Sequence, residues 1–173
     1  RSDVAELHFK LRKTPIQANR VIALLSKMFN LAEVWGWRPL GSNPCRLIAK
    51  YREEPRRRYL TGAELDWIGK ALKAQEAKEH WAPLLAMRLL LLTGARVGEV
   101  LSLKWEHVHL QQNVLQLPDS KTGWKQIVLG PPAVKLLDEA PRKKGSPWVF
   151  PRETDATQHL AALQGPWTRL KAK

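Results

Sequence analysis

The chain has 173 residues, with 29 Lys plus Arg against 16 Asp plus Glu, a formal net charge of +13, and a single Cys. That length holds one domain, or one small domain and part of another, and a hydrophobic content of 44% excludes an intrinsically disordered chain. One cysteine excludes a disulfide framework and a Cys-based zinc site, so the chain reads as intracellular and cytoplasmic.

The amino end, Arg1-Ser2-Asp3-Val4, has neither an apolar signal core nor an initiator Met, which suggests a piece of something longer. Thr14-Pro15-Ile16-Gln17 then reads as a helix start, with a Thr cap, Pro at the first helical position and Gln placed to close a capping box. Behind it Val21, Leu24, Leu25, Met28, Phe29, Ala32 and Trp35 recur at helical steps, and Gly36 ends the run. Residues 50–58 contain no aliphatic side chain and a central Pro55, so 51–58 is the expected linker. One long helix and its short neighbours cannot enclose their own apolar face. Residues 1–50 are therefore expected to be the end of a helical domain.

Thr61-Gly62-Ala63-Glu64 repeats the capping box, with Leu60 and Leu65 as a staple and Leu65, Ile68 and Leu72 as the buried face. Trp81 to Leu92 is apolar nearly all round, which predicts a helix at a domain's centre; interrupted by Arg88 and Pro83, it is too short to span a bilayer, for which ~20 residues are needed. Thr93-Gly94 breaks it, and helical character resumes over Ala95 to Leu103. Three short strands are expected at Trp105 to His109, Asn113 to Leu117 and Trp124 to Leu129, the last two joined by a hairpin tip. Pro131 starts a further helix, Trp148-Val149-Phe150-Pro151 is a short apolar segment, and Asp155 to Lys173 reads as a final helix. Most of the eight Trp are expected in the core or at amphipathic edges rather than as a base-stacking row.

A positive excess of this size points to a polyanionic partner, because cations that neutralise phosphates release condensed counterions on binding. Arg56, Arg57 and Arg58 in the linker are the expected phosphate contacts, carrying no sequence information; a solvated linker is the competing reading. Arg96 follows a Gly break between two apolar helices, so its guanidinium is expected to emerge from a rigid scaffold, where its planar fork suits phosphate. Glu99, one turn on, is placed to hold that fork. His107 and His109 share one face of an expected strand, but two His without a third ligand do not make a metal site.

Thr93-Gly94-Ala95-Arg96-Val97-Gly98-Glu99, Leu103-Lys104-Trp105-Glu106-His107-Val108, Ser120-Lys121-Thr122-Gly123 before Ile127-Val128-Leu129, and Trp148-Val149-Phe150-Pro151 follow one another in that order. The arrangement resembles the catalytic domain of tyrosine site-specific recombinases, the phage-type integrase family, with His107 where the family has an acid. Residues 14–50 are similar to the last helices of that family's preceding DNA-clamping domain. The resemblance implies a mainly α fold with a small antiparallel three-stranded sheet, divided as 1–50 clamping domain, 51–58 basic linker and 59–173 catalytic domain.

It also implies a chemistry. A Tyr attacks a DNA phosphodiester to give a 3′-phosphotyrosyl link, two Arg stabilise the phosphate charge, and a hairpin Lys protonates the leaving 5′ oxygen, without metal or cofactor. On this chain Arg96 carries over as the first Arg, Lys121 as the general acid and Glu99 as the support of Arg96. The family's His-x-x-Arg block and nucleophilic Tyr have no counterpart here, since Tyr51 and Tyr59 both precede Arg96. The expectation is a DNA-binding fragment of an integrase from a mobile element, unable by itself to cleave DNA, with duplex DNA as partner and homo-oligomers forming on it. The alternatives are a non-catalytic remnant or regulator with an integrase-like fold, and a basic structural protein with no DNA role.

Overall fold

The structure, a computed structural model, describes residues 1–55, 57–120 and 123–171. The chain divides into two compact units, Arg1–Tyr59 and Leu60–Lys173.

The first unit contains helices α1 (Ser2–Lys10) and α2 (Pro15–Val34) followed by irregular chain. α1 has no counterpart in the sequence reading, its apolar positions being too few to announce it. Pro15 takes the first helical position of α2 as expected, but Thr14 does not cap it: the hydroxyl donates backward to the Leu11 carbonyl instead. The expected apolar face is also only partly buried. Ala18, Asn19, Ile22 and Glu33 go inside, whereas Leu24, Met28 and Trp35 are exposed. Polar groups do the joining. Asn19 accepts the Tyr51 N–H at 2.9 Å and donates to the Tyr51 carbonyl and to Glu53, so residues 51–53, read above as linker, are fastened to α2. Glu33 accepts the N–H groups of Gly41 and Asn43, and Asn43 donates to Ser26 and Asn30.

The second unit is mainly helical with one antiparallel sheet. Its helices are α3 (Gly62–Gln75), α4 (Trp81–Thr93), α5 (Val97–Leu101), α6 (Pro131–Asp138) and α7 (Gln164–Lys171). Thr61 and Glu64 form the expected capping box, with the Thr61 N–H donating to Glu64 at 2.9 Å. Leu65 does not reach the core as expected; Ile68 and Leu72 do. α4 is the centre of the unit: Ala82, Ala86 and Leu89 pack with Leu103, Leu115, Leu137, Val149 and Phe150, while Leu84 and Met87 pack with Ile68, Leu72 and Leu170.

The sheet runs β1 (Val108–His109), β2 (Val114–Ser120) and β3 (Gly123–Val128), in that order and antiparallel. Leu115 faces Ile127 and Leu117 faces Lys125 across β2 and β3. The first strand is shorter than expected because Trp105–His107 forms a 3-10 turn, so His107 and His109 do not share a strand face. The last helix is shorter too. Asp155 accepts the N–H and hydroxyl of Thr157, a turn that competes with helix, and Pro166 is tolerated only in a first turn, which fixes the start near Gln164. None of the eight Trp is buried; four are half-buried, with Trp81, Trp105 and Trp167 packed on the apolar clusters as amphipathic edges, and four are exposed. No helix of the described residues is long and apolar enough to cross a membrane.

Candidate nucleic-acid interface

The site begins with a break in backbone geometry. Gly94 ends α4 in the left-handed conformation, φ 62°, where a side chain is disfavoured, and Thr93 turns its hydroxyl back onto the Leu89 carbonyl at 2.6 Å. The chain therefore leaves α4 abruptly and re-enters helix at α5 with Arg96 as the cap residue in extended conformation. Val100 and Leu101 are buried on the inner side of α5, which fixes its rotation. Arg96 consequently projects outward from a scaffold anchored on both sides; its side chain is 50% exposed.

Glu99 sits in the first turn of α5, where the unpaired N–H groups and the helix dipole favour a carboxylate. Its Oε2 accepts the Arg96 backbone N–H at 3.0 Å and its Oε1 accepts Arg96 Nη1 at 2.7 Å. A third donor arrives from the sheet: Lys125 Nζ lies 2.8 Å from Oε2. The Glu99 side chain is only 8% exposed. Burial works against its ionisation, but the hydrogen bonds from Lys125 and from the backbone and side chain of Arg96 outweigh it and hold its pKa down to about 2. At neutral pH the centre is thus a carboxylate between two cations, a net positive charge. Among the described residues, the other nitrogens of the Arg96 fork donate to no protein acceptor.

The structure brings Arg96 and Glu99 together. Lys121 and Thr122 lie outside the described residues, as does Arg56; Ser120 pairs with Gly123 across the hairpin, so the strands that bracket Lys121 are in place. Arg57 and Arg58 are exposed in irregular chain of the first unit. Tyr51 donates its hydroxyl to the His8 carbonyl at 3.3 Å and stacks its ring on His8, 4.2 Å between centroids. Tyr59 is exposed. Beside Glu99 a cleft of about 250 Å³ is lined by Ser102, Lys104, His107 and Trp148, and the nearby rings carry cations, Lys104 over Trp148 and Arg142 over Trp105 at 4.3 Å. Among the described residues no three His, Cys, Asp or Glu group into a metal-holding cluster.

Lys125 is the residue the sequence reading missed, although a signal existed. It lies two positions before Ile127, hence on the inward side of β3, where a Lys needs an anionic partner.

Comparison with known proteins gives these residues a context. The model of the Phage integrase family matches residues 58–173. A shufflon-specific DNA recombinase of Escherichia coli is 34% identical over 129 residues, 72% of this chain and 32% of that protein. The chain thus spans about a third of the length of this curated relative. Two solved structures share the fold. One is a lambda integrase tetramer bound to a Holliday junction, with a TM-score of 0.74 at 23% identity over 99% of this chain and 52% of that one. The other is the Tn1549 transposon integrase with circular intermediate DNA, with a TM-score of 0.69 at 19% identity over 98% and 62%. The family match takes in α3 to α7, the sheet and the Arg96 turn together, and on that basis the chain belongs to the phage integrase family, the tyrosine recombinases its motifs resemble.

Proposed function

We propose that the chain binds duplex DNA and supplies part of the phosphate-handling site of a site-specific recombinase that acts in DNA integration and recombination. The observation that carries this reading is the half-exposed Arg96 guanidinium, fixed on one edge by a nearly buried carboxylate and otherwise turned outward. A preorganised cation of this kind interacts more strongly with a phosphate as charge develops in the transition state, and needs no reorganisation when it does so. Lys121, which follows β2 and precedes β3 in the sequence, is assigned the general acid that protonates the departing 5′ oxygen as a tyrosyl oxygen bonds to phosphorus. Residues 1–50 are assigned to the end of a DNA-clamping domain, with 51–58 as a linker crossing the duplex and Arg56, Arg57 and Arg58 on phosphates. Assembly into homo-oligomers on DNA belongs to the same reading, since one solved relative is a tetramer on a Holliday junction.

A second reading is supported by a tyrosine. Tyr51 is committed to His8 by its hydroxyl and its ring, which favours DNA binding without a tyrosyl–phosphate bond from that residue. Duplex affinity measured against salt tests the main reading. Tight binding should weaken steeply as salt rises, and Arg96→Gln should lower affinity several-fold. Gln at 56, 57 and 58 together should lower it for every sequence and reduce the salt slope by roughly 1 for each phosphate no longer neutralised. Salt-independent or undetectable binding overturns the proposal. A covalent adduct trapped on nicked DNA would overturn the second reading.

A further inference from the structure

Among the described residues Glu99 serves three donor groups, and one of them comes from outside its own turn. Arg96 lies three residues back in the chain, so the Arg96–Glu99 pair holds the guanidinium to α5 alone. Lys125 comes from β3, 26 residues on, and reaches the same Oε2 that accepts the Arg96 N–H. It stands directly across from Leu117 and two residues before the buried Ile127, so its stem runs along apolar surface and its ammonium ends on the carboxylate.

We infer that Lys125 is a positioning residue: through Glu99 it locks the Arg96 guanidinium to strand β3. The inference rests on the proposed function only for what the locked guanidinium engages, a DNA phosphate; the lock itself is read without DNA. Removing the ammonium leaves Glu99, among the described residues, with the donors of its own turn, and Arg96 then turns with a carboxylate that Lys125 no longer pins to the sheet. Lys104 and His107 line the cleft beside Glu99, and among the described residues their ion pairs go to Glu106.

The test uses the whole chain in three forms: parent, Lys125→Met and Lys125→Arg. NMR follows the Arg96 side-chain N–H exchange and the Glu99 carboxyl carbon as pH is lowered. In Lys125→Met, Arg96 exchange should speed several-fold and the Glu99 midpoint should move up from about 2 toward the ordinary carboxylate range, with both restored by Lys125→Arg. Lys125→Gln replaces Lys125→Met if the latter fails to fold. Unchanged exchange and an unchanged midpoint overturn the inference. A double-mutant cycle on duplex affinity then asks what the lock does: Lys125→Met should weaken the parent at least threefold and leave Arg96→Gln unaffected. Additive losses would make Lys125 a separate phosphate ligand and overturn positioning. If the parent binds no duplex, the proposed function falls, while the exchange measurement still decides the lock.

Discussion

The two units of the chain are stabilised by different means. In Arg1–Tyr59 the buried hydrophobic side chains among the described residues are Ala18, Ile22 and Cys45, beside buried His8, Asn19, Glu33 and Asn43. In Leu60–Lys173 two apolar clusters surround α4, and Gln75 is the buried polar residue among those described. Hydrogen bonds are directional and each adds little net stability, whereas apolar burial scales with area. The first unit is therefore specified by geometry and the second by packing. The difference is also visible on the surface: Leu24, Val34, Trp35, Trp37 and Leu40 of the first unit are exposed.

The largest effect is expected where packing is tightest. Phe150 is 0% exposed, and Phe150→Ala should cost about 4 kcal/mol in urea unfolding, with the loss confined to Leu60–Lys173. Asn43→Ala should break the first unit by the other route. It leaves the buried Cys45 N–H without its acceptor and Ser26 and Asn30 without their donor, and costs about 2–3 kcal/mol, seen as faster amide exchange in Arg1–Tyr59. Loss of equal protection in both units would erase the contrast.

The third expectation concerns pH. Glu99 has a pKa lowered by folding, so its contribution is full above the unfolded value near 4.3 and lost as pH falls toward about 2. Stability of the second unit should drop by about 2 kcal/mol across that interval, and Glu99→Gln should flatten the drop; an equally steep profile in Glu99→Gln would assign it to other carboxylates. The smallest effect is expected at Trp37, 75% exposed, where Trp37→Ala should stay within about 0.5 kcal/mol of the parent by thermal unfolding. A larger loss would show that the surface of the first unit packs in solution.

The same contrast explains what could be read from the chain. The second unit was legible because its signals are local: the Thr61 and Glu64 cap, the all-apolar run of α4, the Gly94 stop, and the alternation of β3. Arg96 and Glu99 were legible for the same reason, being one turn apart. Lys125 was not, since its partner is 26 residues away and only the register of β3 turns it inward. In the first unit the periodicity of α2 named the wrong inner face. Asn19 and Glu33, which look like surface residues, are inside because chain at 41–53 returns to bond them. The overextended last helix shows the same limit, as the Asp155 turn and Pro166 overrode a permissive composition.

The second apolar cluster joins Ile68, Leu72, Leu84 and Met87 to Leu170, and Arg169 pairs with Glu79 across 90 residues of chain. A ribosome adding ~5–20 residues per second needs roughly 5–20 s to travel that distance. Until then the seam between α3 and α4 emerges without its closing residue, a window in which the nascent polypeptide offers a greasy surface to chaperones. Protease sensitivity of stalled nascent chains should fall once α7 has been released from the exit tunnel, which makes the timing of translation part of how this protein reaches its native state.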